Sequence, residues 1–592
     1  MMNSARLAAL RTAMAGMALD GFIVPRADEH LGEYVPPGAE RLAWLTGFTG
    51  SAGLAAVLME RAAVFTDGRY VLQLAAETDA GLWERRHITE EPPPGWLAAH
   101  APGGRIGYDP LLISEEGLKR FVDAGLVMVP LAENPVDAVW TDRPAAPMDL
   151  VAVQPLEFAG LDGAAKREQV AAGLRAARED AAVVTDPASI AWLLNIRGSD
   201  VPFTPFALGF AVLHADAGCE LFMDPRKLTP EIREWLGNAV SVQDRAGLPG
   251  ALDRLSGRRV RVDAAGSPAW FAQRLRAAGA EVVAGTDPCL LPKACKNEVE
   301  RQGARLAHRR DAIAVCRFLH WLDAVPGGEG GRKTEISAAV QLLAFRGELD
   351  HFRGESFPAI SGAGEDGAII HYRVSPATDR PIRANETYLI DSGGQFLDGT
   401  TDVTRTVWTG PDAAPDELRD RATRVLKGHI AIATLVFPQG VAGPHLDGFA
   451  RAALWQVGLD YDHGTGHGVG SYLSVHEGPV SLSRAARPVP LAEGMILSNE
   501  PGFYLPGQYG IRLENLLLVQ PAVLPAATRP FLCFETLTLA PFDRRLIEPG
   551  LLTGAERAWI DMYHARVLAE VGPLLGQVER GWLGEACAPL VD

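Results

Sequence analysis

Residues 388–407 read Tyr388-Leu389-Ile390-Asp391-Ser392-Gly393-Gly394-Gln395-Phe396-Leu397-Asp398-Gly399-Thr400-Thr401-Asp402-Val403-Thr404-Arg405-Thr406-Val407. A short apolar run enters a Gly-Gly turn and a β-branched run returns, which predicts a hairpin of two strands. The turn centre falls midway between Asp391 and Asp402, so the pairing sets two carboxylates close across the strands, where like charges repel. A cation belongs between them. Alone, Asp391 could shape the turn and Asp402 could be a solvated strand residue; the segments that follow decide against that.

The next segment is Asp462-His463-Gly464-Thr465-Gly466-His467-Gly468-Val469-Gly470. Its glycines break any helix, so the histidines do not copy the helical zinc motif H-E-x-x-H; they sit on a loop whose bare backbone lets a metal or substrate approach. Asn499-Glu500-Pro501-Gly502 reads by itself as a turn. Gly510 to Val519 is a near-continuous apolar strand holding Arg512 and Glu514. A carboxylate there is buried and needs a partner, and a period of two puts both charges on one face, so an ion pair competes with a ligand role. Together Asp391, Asp402, His467, Glu500 and Glu514 supply four carboxylates and one imidazole, a set suited to two divalent ions such as Mn²⁺ or Co²⁺ more than to structural zinc.

The 592 residues predict three to four domains. With 47% hydrophobic and 22% charged residues the chain should fold throughout. A formal net charge of −17 argues against a phosphate-neutralising nucleic-acid binder. The six cysteines are scattered with no C-x-x-C pair, which fits a reducing cytoplasm. The start reads as an amphipathic helix running into a strand rather than a secretory signal, and no apolar run is long enough to span a membrane. Two stretches echo each other, one from Gly21 to Gly68 and one from Ala182 to Asp224, each reading strand, helix ending near an aromatic, strand, strand; that predicts a duplicated α/β module. Boundaries are expected in the loop-rich passage from Asn134 to Pro147 and near Pro288 to Pro292, followed by a long surface helix from Lys296 to Asp323 and, in the tail, a helix around Ala555 to Leu574.

The order of the five ligand candidates is that of the pita-bread metallopeptidases, which include methionine aminopeptidase, prolidase and aminopeptidase P. The chain most resembles the long, three-domain aminopeptidase P, in TGFTGSAG (Thr46 to Gly53), FTDGRYVLQ (Phe65 to Gln73), GAIIHY (Gly367 to Tyr372), residues 388–407, HGTGHGVG (His463 to Gly470), VHEGP (Val475 to Pro479), SNEPGFY (Ser498 to Tyr504) and GIRLEN (Gly510 to Asn515). Small departures are Ser471 to Ser474 before VHEGP and the acidic stretch Gly362 to Asp366 before GAIIHY.

The resemblance implies an α/β (α+β) chain with a creatinase-like domain over residues 1–150, a second over 151–290, and a pita-bread catalytic domain with a C-terminal extension over 291–592. It implies a metal-dependent exopeptidase that hydrolyses the bond between an N-terminal residue and a following proline by a metal-bridging hydroxide. Two divalent ions, Mn²⁺ first with Co²⁺ or Zn²⁺ as the other candidates, would be held by Asp391 on one, His467 and Glu500 on the other, and Asp402 and Glu514 bridging. Glu500 would be the general base or proton shuttle, and His371, at the end of an apolar strand, and His476 would hold the scissile carbonyl or its oxyanion. His463, Tyr504 and Arg512 would line the proline pocket, Arg512 also orienting Glu514, and Arg69 would contact substrate. A cytoplasmic homodimer without nucleic-acid or membrane partners is the expected setting. Prolidase shares the metal set with one N-terminal module, and a non-catalytic peptide-binding protein on the same fold is the remaining alternative, which the complete ligand set disfavours.

Overall fold

The computed structural model describes residues 2–323 and 333–590. The chain separates into two compact units, Met1–Pro155 with Leu161–Leu290, and Leu156–Gly160 with Leu291–Asp592.

In the first unit the helix Met2–Gly16 leads into a six-stranded sheet of β1 Gly21–Pro25, β2 Leu54–Leu58, β3 Ala62–Thr66, β4 Glu84–His87, β5 Arg105–Tyr108 and β6 Val127–Pro130. Their order is β4-β3-β2-β1-β5-β6, with β1 antiparallel to β2 and parallel to β5. A second six-stranded sheet holds β7 Ala181–Val184, β8 Phe210–His214, β9 Cys219–Phe222, β10 Val240–Gln243, β11 Arg259–Val262 and β12 Glu281–Ala284. Its order, β10-β9-β8-β7-β11-β12, and its directions repeat the first. The expected duplication is therefore a duplication of topology. Local signals mark the repeat as well: Asp186 caps the helix Pro187–Leu194 by accepting from the amides of Ala188 and Ser189, and the chain leaves that helix through Asn195 in the left-handed region.

The second unit opens with α1 Glu298–Asp323, close to the predicted span, and α2 Glu335–Gly347. One sheet runs β13 Ile360–Ala363, β14 Thr387–Ser392, β15 Val403–Trp408; another has the order β16-β21-β20-β17, where β16 is Val436–Pro438, β17 Ile496–Asn499, β20 Asn515–Ala522 and β21 Phe531–Thr536. A hairpin of β18 Gly502–Leu505 and β19 Tyr509–Arg512 lies between β17 and β20 in the chain. Helices α3 Asp416–Ala433, α4 Asp447–Trp455 and α5 Gly554–Val571 complete the main elements. Leu516, Leu517, Leu518 and Val519 are all fully buried, so both faces of β20 are covered, as a continuous apolar run requires. Among the described residues no helix is long and apolar enough to cross a membrane.

Two expectations are corrected. β14 and β15 do pair antiparallel, but Thr404, not Asp402, lies opposite Asp391. The intervening residues form their own short hairpin, Gly394–Phe396 with Gly399–Thr400, which joins Phe352–Glu355 and leaves Asp402 just outside the ladder. Since Asp402 and Thr404 share a strand face, the two aspartates meet diagonally. The second correction concerns Gly510 to Val519, which is two strands broken at Leu513 and Glu514, where the Leu513 amide bonds Pro501 O and the Glu514 amide bonds Thr404 O. Strand alternation between Arg512 and Glu514 is lost there.

Candidate metal centre

Asp391 is the last residue but one of β14, Asp402 precedes β15, His467 lies in the two-residue strand Gly466–His467, Glu500 follows β17, and Glu514 sits in the break between β19 and β20. Ligand atoms of Asp402, His467 and Glu514 all lie within 4.8 Å of one another. His467 Nε2 is 3.6 Å from Asp402 Oδ2 and 3.4 Å from Glu500 Oε1. Asp391 acts electrostatically on Asp402, Glu500 and Glu514. The structure thus brings all five predicted side chains together.

Neighbouring groups aim them. His467 Nδ1 lies 3.0 Å from Gly468 O; a proton there leaves Nε2 as the bare nitrogen facing the carboxylates. Ser498 Oγ accepts the His467 amide at 2.9 Å and donates to Glu500 Oε1 at 3.0 Å, tying two candidates to one hydroxyl. Thr404 Oγ1 donates to Glu514 Oε2 at 2.7 Å. Sequence reasoning missed Ser498 and Thr404, though each stands two residues from a ligand candidate on a strand, and so on its face. The glycines of the His loop also have a different reason from the one expected. A Cβ on Gly466 would stand 2.0 Å from Ser498 O and one on Gly468 2.2 Å from Glu477 O, so their bare backbone admits neighbouring chain.

The site is electrostatically incomplete as protein alone. Burial, then Glu514 and Asp391, holds the Asp402 carboxyl well above the carboxylate range; burial, then Glu500 and Asp391, does the same to Glu514. Burial raises Glu500 to about 7, with Asp391 adding to it against the pull of Arg512. Asp391 Oδ1 and Asp402 Oδ1 are buried without a hydrogen-bond partner. Buried acceptors with no donor, in a cluster of four carboxylates and one imidazole, fit divalent cations, which satisfy the lone pairs and the charge at once.

The predicted substrate residues divide. Arg512 Nη1 donates to Tyr504 OH at 2.7 Å, and that hydroxyl lies 2.9 Å from His463 Nε2, so the three proline-pocket candidates form one hydrogen-bonded chain. The carboxylate that Arg512 grips directly is Asp391, through Nη2 at 2.7 Å; it meets the expected Glu514 only through the Thr404 hydroxyl, 3.3 Å from its Nε. The His476 ring meets the His467 ring edge to face at 4.4 Å. A buried trio missed from the sequence fixes the segment behind it, with Lys293 Nζ at 3.1 Å and Lys296 Nζ at 2.6 Å from Glu477.

His371 does not end a strand; it follows the 3₁₀ turn Gly364–Ala368. That turn packs on β19, where a Cβ on Gly510 would lie 1.8 Å from Gly367 O, so backbone contact excludes any side chain there. Arg69 belongs to the first unit, where Asp67 clasps it in a fork with bonds of 3.0 and 2.7 Å.

The sequence matches "Metallopeptidase family M24" over residues 302–521 and "C-terminal region of peptidase_M24" over 530–590. It matches "Creatinase/Prolidase N-terminal domain" twice, over 6–127 and 142–300. A curated relative, "Probable Xaa-Pro aminopeptidase P" of Aspergillus fumigatus, is 39% identical over 99% of this chain and 92% of its own length. "Aminopeptidase P2" of Arabidopsis thaliana is 37% identical over 97% of this chain and 86% of its own. The crystal structure of X-prolyl aminopeptidase from Caenorhabditis elegans, described as a cytosolic enzyme with a di-nuclear active site, superposes with a TM-score of 0.94 at 35% identity and covers 100% of both chains. With two creatinase-like modules before a pita-bread catalytic unit, the chain belongs to the Xaa-Pro aminopeptidase P family of the M24 metallopeptidases.

Proposed function

We propose that Asp391 holds one divalent ion, His467 and Glu500 a second, and Asp402 and Glu514 both, with Mn²⁺ as the native metal. The chain is a metal-dependent exopeptidase that hydrolyses the bond between an N-terminal residue and a following proline. The observation that carries the residue assignment is the pair of orphaned buried oxygens, Asp391 Oδ1 and Asp402 Oδ1, inside the carboxylate cluster. When bound, such ions lower the pKa of water and polarise a carbonyl. Glu500 moves the proton between nucleophile and leaving amine, and Ser498 keeps one of its oxygens fixed. His371 and His476 orient the scissile carbonyl. His463, Tyr504 and Arg512 bound the pocket for a prolyl ring whose tertiary amide offers no N–H to bond, and Arg69 contacts substrate.

The domains are assigned to 1–150, 151–290 and 291–592. Six free cysteines support a cytoplasmic setting. Phe449, Trp455 and Val457, exposed on and just beyond α4, support pairing with a second copy.

The test is release of the N-terminal residue from Arg-Pro-Pro, against Arg-Ala-Ala and the dipeptide Arg-Pro, with Mn²⁺ and after chelation. Metal-dependent cleavage of the proline tripeptide is expected. Cleavage of the dipeptide alone would move the specificity to that of a prolidase, and no cleavage with any metal would sink the assignment.

A further inference from the structure

Glu335, in the first turn of α2, is fully buried, yet it belongs to neither the metal set nor the proline pocket. Its Oε1 accepts the Ala363 amide at 2.7 Å, its Oε2 accepts the Tyr372 hydroxyl at 3.0 Å, and its carboxyl is hydrogen-bonded to that of Asp366. Two carboxyl groups joined in this way resist ionising together, so near neutral pH one keeps a proton and donates it to the other.

The surroundings decide which. Burial raises the Asp366 carboxyl as well, but the bond from Glu335 and the Arg380 charge beside it pull the other way, with Glu365 and Tyr372 as its other titratable neighbours. Glu335 faces Asp366, Tyr372 and Tyr388, and burial with the Asp366 charge raises it to about 8. Around them Arg380 also pairs with Glu386 at 2.7 Å, and Asp379 accepts the Ile336 amide at 3.0 Å. Glu335 is the acid and Asp366 its ionised partner.

What the pair holds is one short segment. Asp366 lies in the turn Gly364–Ala368, Tyr372 directly follows His371, and Glu335 bonds to both from behind while Gly367 is pressed against Gly510 of β19. The segment that carries His371 is therefore held on both sides of it, at Asp366 and at Tyr372, by Glu335.

We infer that Glu335 and Asp366, sharing one proton, are positioning residues for His371, and that kcat falls in alkali when that proton is lost and the two charges push the 366–372 segment out of place. This rests on the reading of His371 as a group that orients the scissile carbonyl.

The experiment measures kcat and KM of the full-length, Mn²⁺-saturated enzyme on Arg-Pro-Pro from about pH 6 to about pH 10. The wild-type enzyme is expected to lose kcat more than it gains KM, with a midpoint near 8. In Glu335→Gln the amide N–H replaces the acid proton as a permanent donor to Asp366, so this limb should disappear or move up by at least about one pH unit; Asp366→Asn should move it likewise. Glu335→Ala should cost about tenfold or more in kcat at every pH, with Glu335→Gln recovering most of it. An unchanged limb in both Glu335→Gln and Asp366→Asn overturns the proposal, and these near-isosteres keep the test decisive even where the alanine variant fails to fold. His371→Ala separates the two readings. If it retains wild-type kcat, the role of His371 fails; if it is crippled while the amide variants keep the limb, only the pairing proposal fails.

Discussion

Arg512 joins the carboxylate cluster to the Tyr504–His463 pair, with Nη2 on Asp391 Oδ2 and Nη1 on the Tyr504 hydroxyl, each at 2.7 Å. Burial opposes its charge, and Tyr504, Asp391 and Glu500 more than restore it. Lysine offers its three N–H donors from one compact nitrogen, without the planar fork that holds both partners in this geometry. Arg512→Lys is therefore expected to weaken binding of at least one ion and to lower kcat/KM on Arg-Pro-Pro by about 10–100-fold. Calorimetric titration of Mn²⁺ into chelated protein reads the first effect and steady-state kinetics the second. Wild-type values for both would remove Arg512 from the centre.

Thr404 is tested by Thr404→Val, which keeps the shape and removes the hydroxyl that donates to Glu514 Oε2 and lies 3.3 Å from Arg512 Nε. Losing a hydrogen bond to a charged group costs about 1.5–3 kcal/mol. Metal affinity should fall by about tenfold or more while circular dichroism stays that of the wild type. Unaltered affinity would mean that Glu514 is aimed by the backbone alone.

The five ligand candidates were legible because their order is that of a known family; singly, Asp391, Asp402 and Glu500 each read as turn or strand residues, and only Glu514, in an apolar run, called for a partner. Register was not legible. The pairing of residues 394–396 with Phe352–Glu355 is non-local, and alternation within 388–407 carries no trace of it. The strand break at Leu513 and Glu514 is likewise set by bonds to Pro501 and Thr404. Ala368-Ile369-Ile370 reads as the end of a strand, yet the Gly367–Gly510 contact and the Glu335 bonds hold that segment as a turn. The duplicated sheets were easier, since their central strands are short apolar runs and one helix carries its own cap at Asp186.

Acid should unfold the catalytic unit through two buried neutral histidines. His429 Nε2 accepts from Asn515 Nδ2 at 3.1 Å and its Nδ1 lies 3.2 Å from Leu513 O, bracing the strand break that carries Glu514. Burial, then Arg405, lowers it to about 3; the same causes lower His564, which accepts the Phe542 amide, to about 4. A folded pKa below the unfolded value near 6.5 means that the unfolded chain binds more protons between the two. The stabilisation is complete above about pH 6.5 and is lost as pH falls towards about 3, amounting to a few kcal/mol per group. Urea unfolding should show stability dropping below pH 6.5, and His429→Gln should flatten that slope; an equal slope in the variant would refute the assignment.

Trp455, on α4 with Phe449, offers a test of pairing. A glutamate in a self-complementary interface is buried twice, once from each copy, and two uncompensated buried charges split the dimer. Trp455→Glu should convert a dimeric mass to a monomeric one in light scattering. An unaltered dimer would place the interface elsewhere, and a monomeric wild type would remove the pairing proposal.

Metal removal bears on the charge of the cluster itself. Burial and mutual repulsion hold Asp402 and Glu514 away from their ionised forms, and two of the cluster's oxygens lack any donor. Cations that bind the folded chain alone stabilise it by mass action, about 2.7 kcal/mol for one site at a hundred times its Kd. Chelation should therefore lower Tm as well as abolish cleavage, and Mn²⁺ should restore both. In His467→Ala, which loses the imidazole between Asp402 and Glu500, the Mn²⁺-induced rise in Tm should shrink, whereas a substitution at exposed Val523 should leave it intact. A wild-type-sized rise in His467→Ala would show that the stabilising ions bind outside this cluster, whatever the activity of that variant.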